Sequence, residues 1–175
     1  MAAWHRVASR RVSTRQARVP APLRAWEDQG VVSRVLIIGY GNPLRGDDGL
    51  GWHAVERLRS AVADPEIEIL AVHQLTPELA DPLSRARRAI FIDAAAGGEP
   101  GTIQRRPLTP SSGGEAFTHH ATPPALLAAA QSLYGHAPEA ILFSVPAESM
   151  AFGDQLSPVV RQALDELVAR ITAML

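Results

Sequence analysis

The sequence contains neither cysteine nor lysine. Without cysteine, the chain has no disulfide, no thiolate nucleophile, no iron–sulfur cluster of its own and no cysteine-type zinc site. It also has no run of about 18 apolar residues, the length that a membrane-spanning helix requires. These absences exclude several classes of function. We expect a cytoplasmic protein that has no membrane partner.

Charge is low overall but unevenly distributed. The formal net charge is −1, yet residues 1–30 hold six of the 17 arginines and two acidic residues, a net of +4 that leaves −5 for the remainder. No apolar segment follows Arg10 and Arg11, which argues against a twin-arginine export signal. We predict a flexible, Arg-rich extension over residues 1–32. The mildly acidic remainder indicates no nucleic-acid partner.

The 175 residues suit one domain with a hydrophobic core, which we place at residues 33–175. Short apolar runs predict four buried parallel strands, and helical periodicity predicts a helix after the first strand. Three further helices are expected where a hydroxyl residue precedes a proline, because the hydroxyl can cap a helix whose first residue is proline. The strands are at residues 34–39, 66–72, 89–93 and 140–145, and the helices begin near residues 49, 77, 123 and 158.

A fifth, polar strand is predicted at residues 102–107. Only eight residues separate it from Asp93, whereas a parallel crossover needs about a dozen or more. This strand should therefore run antiparallel at a sheet edge. The expected fold is an α/β three-layer α/β/α sandwich with a mixed, mostly parallel five-stranded sheet and one antiparallel strand.

The densest motif is the glycine-rich loop of residues 39–51, which reads G-Y-G-N-P-L-R-G-D-D-G-L-G. It lies between a strand and a helix, where α/β proteins place ligands. It fails as a dinucleotide fingerprint because Leu44 replaces the third glycine and His73, rather than an acid, follows the second strand. We predict no organic cofactor. Gly41 and Gly46 are expected to allow backbone conformations that a Cβ would obstruct.

Two carboxylates and an imidazole are expected to meet at the carboxyl edge of the sheet. Asp47 and Asp48 follow the first strand, Asp93 ends the third, and His119 and His120 precede a helix. Asp48, Asp93 and His120 would form a divalent-metal site with open positions. The competing interpretations are a helix cap for the paired acids, a turn for Asp93 and a solvated loop for the histidines.

In chain order, these residues resemble the pattern of hydrogenase maturation proteases. The pattern is G-x-G-N-x-L-x-x-D-[DE]-x-x-G after the first strand, an aspartate ending the third strand, a histidine before a helix, and P-x-E-S after the last strand. Residues 39–51, Asp93, His120 and residues 146–149 match it, and the likeness covers residues 35–175.

The resemblance implies an aspartic-type endopeptidase that removes the C-terminal peptide of a nickel-loaded hydrogenase large-subunit precursor. It implies Asp48 and Asp93 as catalytic residues, and Asp48, Asp93 and His120 as contacts of nickel supplied by the substrate. We expect a monomer. The resemblance leaves open whether nickel is catalytic or only recognised, whether His119 replaces His120, and whether Glu148 is a ligand, an orienting acid or a loop residue.

Two rivals remain. A peptidyl-tRNA hydrolase-like enzyme shares G-x-G-N-P, but it needs a His-Asn pair where this chain has Asp47 and Asp48, and a basic face where this domain is acidic. A nickel-binding maturation chaperone without protease activity would need high resting metal affinity. Two carboxylates and one imidazole should hold a metal only loosely.

Overall fold

The computed structural model describes residues 33–111 and 121–175. Predictions about residues 1–32, His119 and His120 therefore concern residues outside the described part.

A five-stranded sheet forms the middle layer, with strand order β2-β1-β3-β5-β4. The first four strands in this order are parallel, and β4 pairs antiparallel with β5 at the edge. The predicted mixed sheet and the direction of its polar strand are confirmed. The strands are β1 (Ser33–Tyr40), β2 (Ile67–Val72), β3 (Ala86–Ala95), β4 (Gln104–Leu108) and β5 (Glu139–Pro146).

In the part of the chain that the structure describes, four α-helices cover the two faces of the sheet and complete the three layers. The first and last pack together over one apolar cluster, and the middle two pack together over another. The helices are α1 (Leu50–Ala61), α2 (Ala80–Ser84), α3 (Pro123–Tyr134) and α4 (Pro158–Thr172). None of the described helices is long and apolar enough to cross a membrane.

A hydroxyl residue followed by proline precedes all three predicted helical segments, but the hydroxyl caps a helix in only two of them. Thr122 and Ser157 each accept a backbone N–H at 3.4 Å, at the starts of α3 and α4. The predicted cap at Thr76 is wrong, since its side chain accepts no backbone bond and a 3₁₀ helix, Pro77–Leu79, precedes α2. A hydrogen bond from the Thr76 hydroxyl to the Glu78 carboxylate lowers the pKa of Glu78.

Candidate active site

Asp48 and Asp93 come together at the carboxyl edge of the parallel strands. Asp48 lies in a 3₁₀ helix, Gly46–Gly49, in the loop between β1 and α1. Asp93 lies near the carboxyl end of β3. Their charges are close enough for Asp48 to help raise the pKa of Asp93. The sequence prediction that these two carboxylates share one edge of the sheet agrees with this arrangement.

The two carboxylates have few cationic neighbours. Asp48 Oδ2 accepts the backbone N–H of Asn42 at 3.1 Å. Within residues 33–111 and 121–175, neither Asp48 nor Asp93 forms an ion pair with an arginine. Two neighbouring carboxylates repel each other when both are charged, so a divalent cation between them would relieve that repulsion. Two carboxylates alone suit hard cations, and the nickel that the resemblance implies would also need the imidazole of His120.

Asp93 holds its proton far more strongly than an ordinary aspartate. Burial raises its pKa to about 7, and the nearby charge of Asp48 adds to the rise. Hydrogen bonds from the Tyr40 side chain and the Ala94 backbone act in the opposite direction, because they stabilise the carboxylate. The metal-free site therefore carries a carboxyl group that titrates near neutral pH.

Sequence reasoning missed Tyr40, whose side chain hydrogen-bonds to Asp93. Burial, followed by the Asp93 charge and this hydrogen bond, raises the pKa of Tyr40 well above its ordinary value. The register pairs Gly39 with Ile92, so Tyr40 and Asp93 are the next neighbours on β1 and β3. Tyr40 follows Gly39, the first glycine of the motif, and Asp93 ends the apolar run of the third strand. Aligning the ends of these two predicted strands would have placed Tyr40 beside Asp93.

Asp47 has a different task from Asp48. Its side chain is fully buried, and its Oδ2 accepts the backbone N–H groups of Glu148 at 2.9 Å and Ser149 at 3.0 Å. Ser157 adds its backbone N–H to Oδ1 at 2.7 Å and its hydroxyl to Oδ2 at 2.9 Å. Neither Asp47 nor Asp48 caps α1. The competing interpretation of a local helix cap is therefore wrong, and Asp47 ties the first loop to the β5–α4 loop.

Two glycines in the first loop occupy places that a side chain cannot share. Gly41 has φ +128°, and a Cβ there would lie 2.0 Å from the backbone oxygen of Asp48. Gly46 has φ +52°, and its Cβ would lie 2.8 Å from the backbone oxygen of Ser149. The expectation that these glycines admit backbone conformations and close approaches is met. At both glycines the backbone therefore lies too close to its neighbours to admit a side chain, and this close packing fixes the loop that carries Asp48.

The P-x-E-S segment supports the site through its backbone. Glu148 has an exposed side chain, and its backbone N–H is what binds Asp47. Among the described residues, this contact favours the loop-residue interpretation of Glu148. The remaining candidate roles, metal ligand and orienting acid, stay untested predictions.

Two large apolar side chains lie exposed on the loops beside the site. Leu44 is 54% exposed and Phe152 is 89% exposed. Their loops are joined by backbone hydrogen bonds from Gly153 N to Leu44 O at 3.0 Å and from Gly46 N to Gly153 O at 2.7 Å. The two exposed side chains therefore lie on loops that are joined to each other, and we name this pair the Leu44–Phe152 surface.

The third predicted metal contact lies outside the described residues. No group of three or more His, Asp or Glu side chains suited to a metal occurs within residues 33–111 and 121–175. His120 belongs to the segment that leads into α3, and the described end of that segment, Thr122, caps α3. The Asp48–Asp93–His120 site accordingly stays a prediction.

Comparisons with known proteins identify the fold. No protein-family model matches the sequence, and no curated protein matches it either. Among solved structures, the chain is similar to the [NiFe] hydrogenase maturation protease HycI from Thermococcus kodakarensis KOD1. That alignment has a TM-score of 0.68 and 23% identity, and it covers 81% of this chain and 91% of that one.

Two further solved structures agree with this similarity. The hydrogenase maturating endopeptidase HybD from E. coli gives a TM-score of 0.68 at 23% identity, covering 81% of this chain and 91% of that one. The hydrogenase 2 maturation peptidase from a Thaumarchaeota archaeon gives a TM-score of 0.62 at 24% identity, covering 81% of this chain and 97% of that one. The α/β fold predicted from the sequence is therefore confirmed as the fold that these maturation peptidases share.

Proposed function

We propose that this chain is an endopeptidase that removes the C-terminal peptide of a nickel-loaded hydrogenase large-subunit precursor. The observation that carries the proposal is the placement of Asp48 and Asp93 at the carboxyl edge of the parallel strands, in a fold shared with maturation peptidases. A metal-bearing substrate would bring positive charge to these two carboxylates.

Asp48 and Asp93 would contact the substrate's nickel, together with His120. Two carboxylates and an imidazole leave coordination positions free for ligands that the substrate provides. One of the two carboxylates would also serve as a general base toward the attacking water. A thiol nucleophile is excluded, because the chain has no cysteine.

A protein substrate suits the surroundings of the site better than a small metabolite. The Leu44–Phe152 surface adjoins the loop that carries Asp48. Exposed apolar side chains on a braced loop are typical of protein interaction sites. We propose that the large-subunit precursor contacts this surface while its tail enters the site.

The decisive experiment is incubation of the purified protein with an unprocessed, nickel-loaded large-subunit precursor. Mass spectrometry should detect a product shortened at its C-terminus, and a precursor prepared without nickel is the control. A nickel-loaded precursor that stays intact after incubation with the unaltered protein would contradict the proposal.

Equilibrium dialysis with nickel separates this proposal from the chaperone alternative. A maturation peptidase of this kind should retain nickel weakly without substrate, since its site lacks thiolates. Tight retention combined with an uncleaved precursor would favour the chaperone. Release of the peptidyl group from peptidyl-tRNA would favour the other alternative.

A further inference from the structure

We propose that Tyr40 is a positioning residue whose hydroxyl holds the Asp93 carboxylate in place beside Asp48. The inference rests on the proposed function, because it assigns Tyr40 a part in the same site. The family pattern leaves the position between the first two glycines open, so the resemblance gives Tyr40 no role. The position of Tyr40 beside Asp93, at the ends of β1 and β3 and on the same face of the sheet, is what assigns one.

The backbone on both sides of Tyr40 is held by close contacts. A Cβ at Gly39 would lie 2.1 Å from the backbone oxygen of Gly51, and a Cβ at Gly41 would lie 2.0 Å from that of Asp48. The end of β1 therefore packs directly against the start of α1 and against the acidic loop. Tyr40 projects from a backbone that has little freedom to shift.

Tyr40 and Asp93 point to the same side of the sheet. Tyr40 packs against the apolar cluster on the α2–α3 side, which also contains Ile38 of β1 and Phe91 of β3. Because side chains alternate along a strand, Asp93 lies on the same face as Phe91. The two in-register neighbours can thus meet without bending either strand.

As the in-register neighbour of Asp93 on the same face of the sheet, Tyr40 is placed to donate its hydroxyl to the Asp93 carboxylate. The negative charge of Asp48 pushes the Asp93 carboxylate away until a cation arrives. A donor anchored in the core counteracts that push and keeps the two carboxylates together. Partners of this kind, which orient a metal-contacting group, commonly affect affinity or activity by about 10- to 100-fold.

The test compares Tyr40→Phe with Tyr134→Phe. The chain has only these two tyrosines, and Tyr134 ends α3 with 51% of its surface exposed, so its variant removes the same hydroxyl far from the site. Tyr40→Phe keeps the packed ring. We expect both variants to retain the thermal midpoint of the unaltered protein.

Three readouts decide the role of Tyr40. In metal-free protein labelled with ¹³C-aspartate, the Asp93 carboxyl resonance, assigned by its loss in Asp93→Asn, should move in Tyr40→Phe only. In a calorimetric nickel titration, Tyr40→Phe should bind about tenfold more weakly. In precursor cleavage, kcat should fall by about tenfold or more with KM within about twofold, the pattern of a lost transition-state interaction.

An unmoved Asp93 resonance would overturn the contact, and a moved resonance with unchanged nickel affinity and kcat would overturn the positioning role. Failure of the proposed function looks different. If the unaltered protein leaves the precursor intact, the resonance and the nickel titration still test Tyr40 on their own.

Discussion

The carboxylate of Asp47 holds both the backbone N–H and the hydroxyl of Ser157, at 2.7 Å and 2.9 Å, across 110 positions of sequence. Ser157 is itself the cap of α4. A residue of the first loop therefore fixes the start of the last helix, and with it the path of the chain that follows β5. Asp47 and Asp48 are adjacent in sequence, but one supports the framework and the other faces Asp93.

Asp47→Asn should destabilise the protein. The amide would place an N–H₂ group among donors that now bind a buried carboxylate, leaving at least one of them unpaired. We expect a loss of roughly 2–5 kcal/mol in the free energy of unfolding, measured by urea denaturation. Asp48→Asn is the matched control and should stay within about 1 kcal/mol of the unaltered protein. Equal losses for the two variants would contradict the division of roles.

The proposed site predicts a second pattern, in activity rather than stability. Asp48→Asn, Asp93→Asn and His120→Ala should each abolish precursor processing, measured by mass spectrometry, while the circular dichroism spectrum stays unchanged. Double variants should be no worse than single ones, as expected for groups that act as a unit. His119→Ala is the control and should retain activity. Activity lost at His119 and retained at His120 would move the histidine contact by one residue.

The raised pKa of Asp93 predicts how the stability of the metal-free protein depends on pH. The folded-state pKa of Asp93, about 7, lies above the ordinary aspartate value of 3.8. Between these values the folded state binds more protons than the unfolded state, so the Asp93 contribution to stability is complete below about pH 4 and is lost as pH rises through 7. Asp93→Asn removes this dependence.

Chemical denaturation in the presence of a chelator, at pH 5 and pH 8, tests that sign. Relative to the unaltered protein, Asp93→Asn should gain stability on going from pH 5 to pH 8, by on the order of 1–3 kcal/mol. A difference between the two proteins that is the same at both pH values would show that Asp93 titrates at its ordinary pKa.

Gly46 should tolerate no side chain. Its φ of +52° is strained for other residues, and a Cβ would press on the backbone oxygen of Ser149 at 2.8 Å. Gly46→Ala should lower the free energy of unfolding by about 1–3 kcal/mol. Gly153→Ala is a control from the facing loop, since no atom lies within 4 Å of a Cβ there. Unchanged thermal midpoints in both variants would show that the loop can yield.

Local patterns were sufficient to predict much of the fold. The apolar runs of β1, β3 and β5, the short link that forces β4 to be antiparallel, and the shared edge of Asp48 and Asp93 all depend on neighbouring residues or on strand direction. The partners of Asp47 do not, because they lie about a hundred residues away and no pattern near Asp47 points to them. Tyr40 escaped notice because a tyrosine between glycines looks like an ordinary strand end. The Thr76 cap failed because a 3₁₀ helix, Pro77–Leu79, separates Thr76 from the start of α2.

Phe152 should affect substrate binding rather than chemistry, if the substrate is a folded protein. Its side chain is 89% exposed, so Phe152→Ala removes no core contact and should leave the thermal midpoint unchanged. Loss of an aromatic contact of this kind should raise KM for the precursor by about tenfold, equivalent to about 1.4 kcal/mol, with kcat unchanged.

Leu133→Ala is the matched control for Phe152→Ala. Leu133 is 72% exposed near the end of α3, at the opposite edge of the sheet from Asp48. It is therefore an exposed apolar side chain of similar accessibility that lies away from the proposed contact, and its removal should leave both kinetic constants unchanged. Equal KM values for the two variants would place the precursor elsewhere on the molecule. A fall in kcat for Phe152→Ala would instead show that the Leu44–Phe152 surface shapes the site itself.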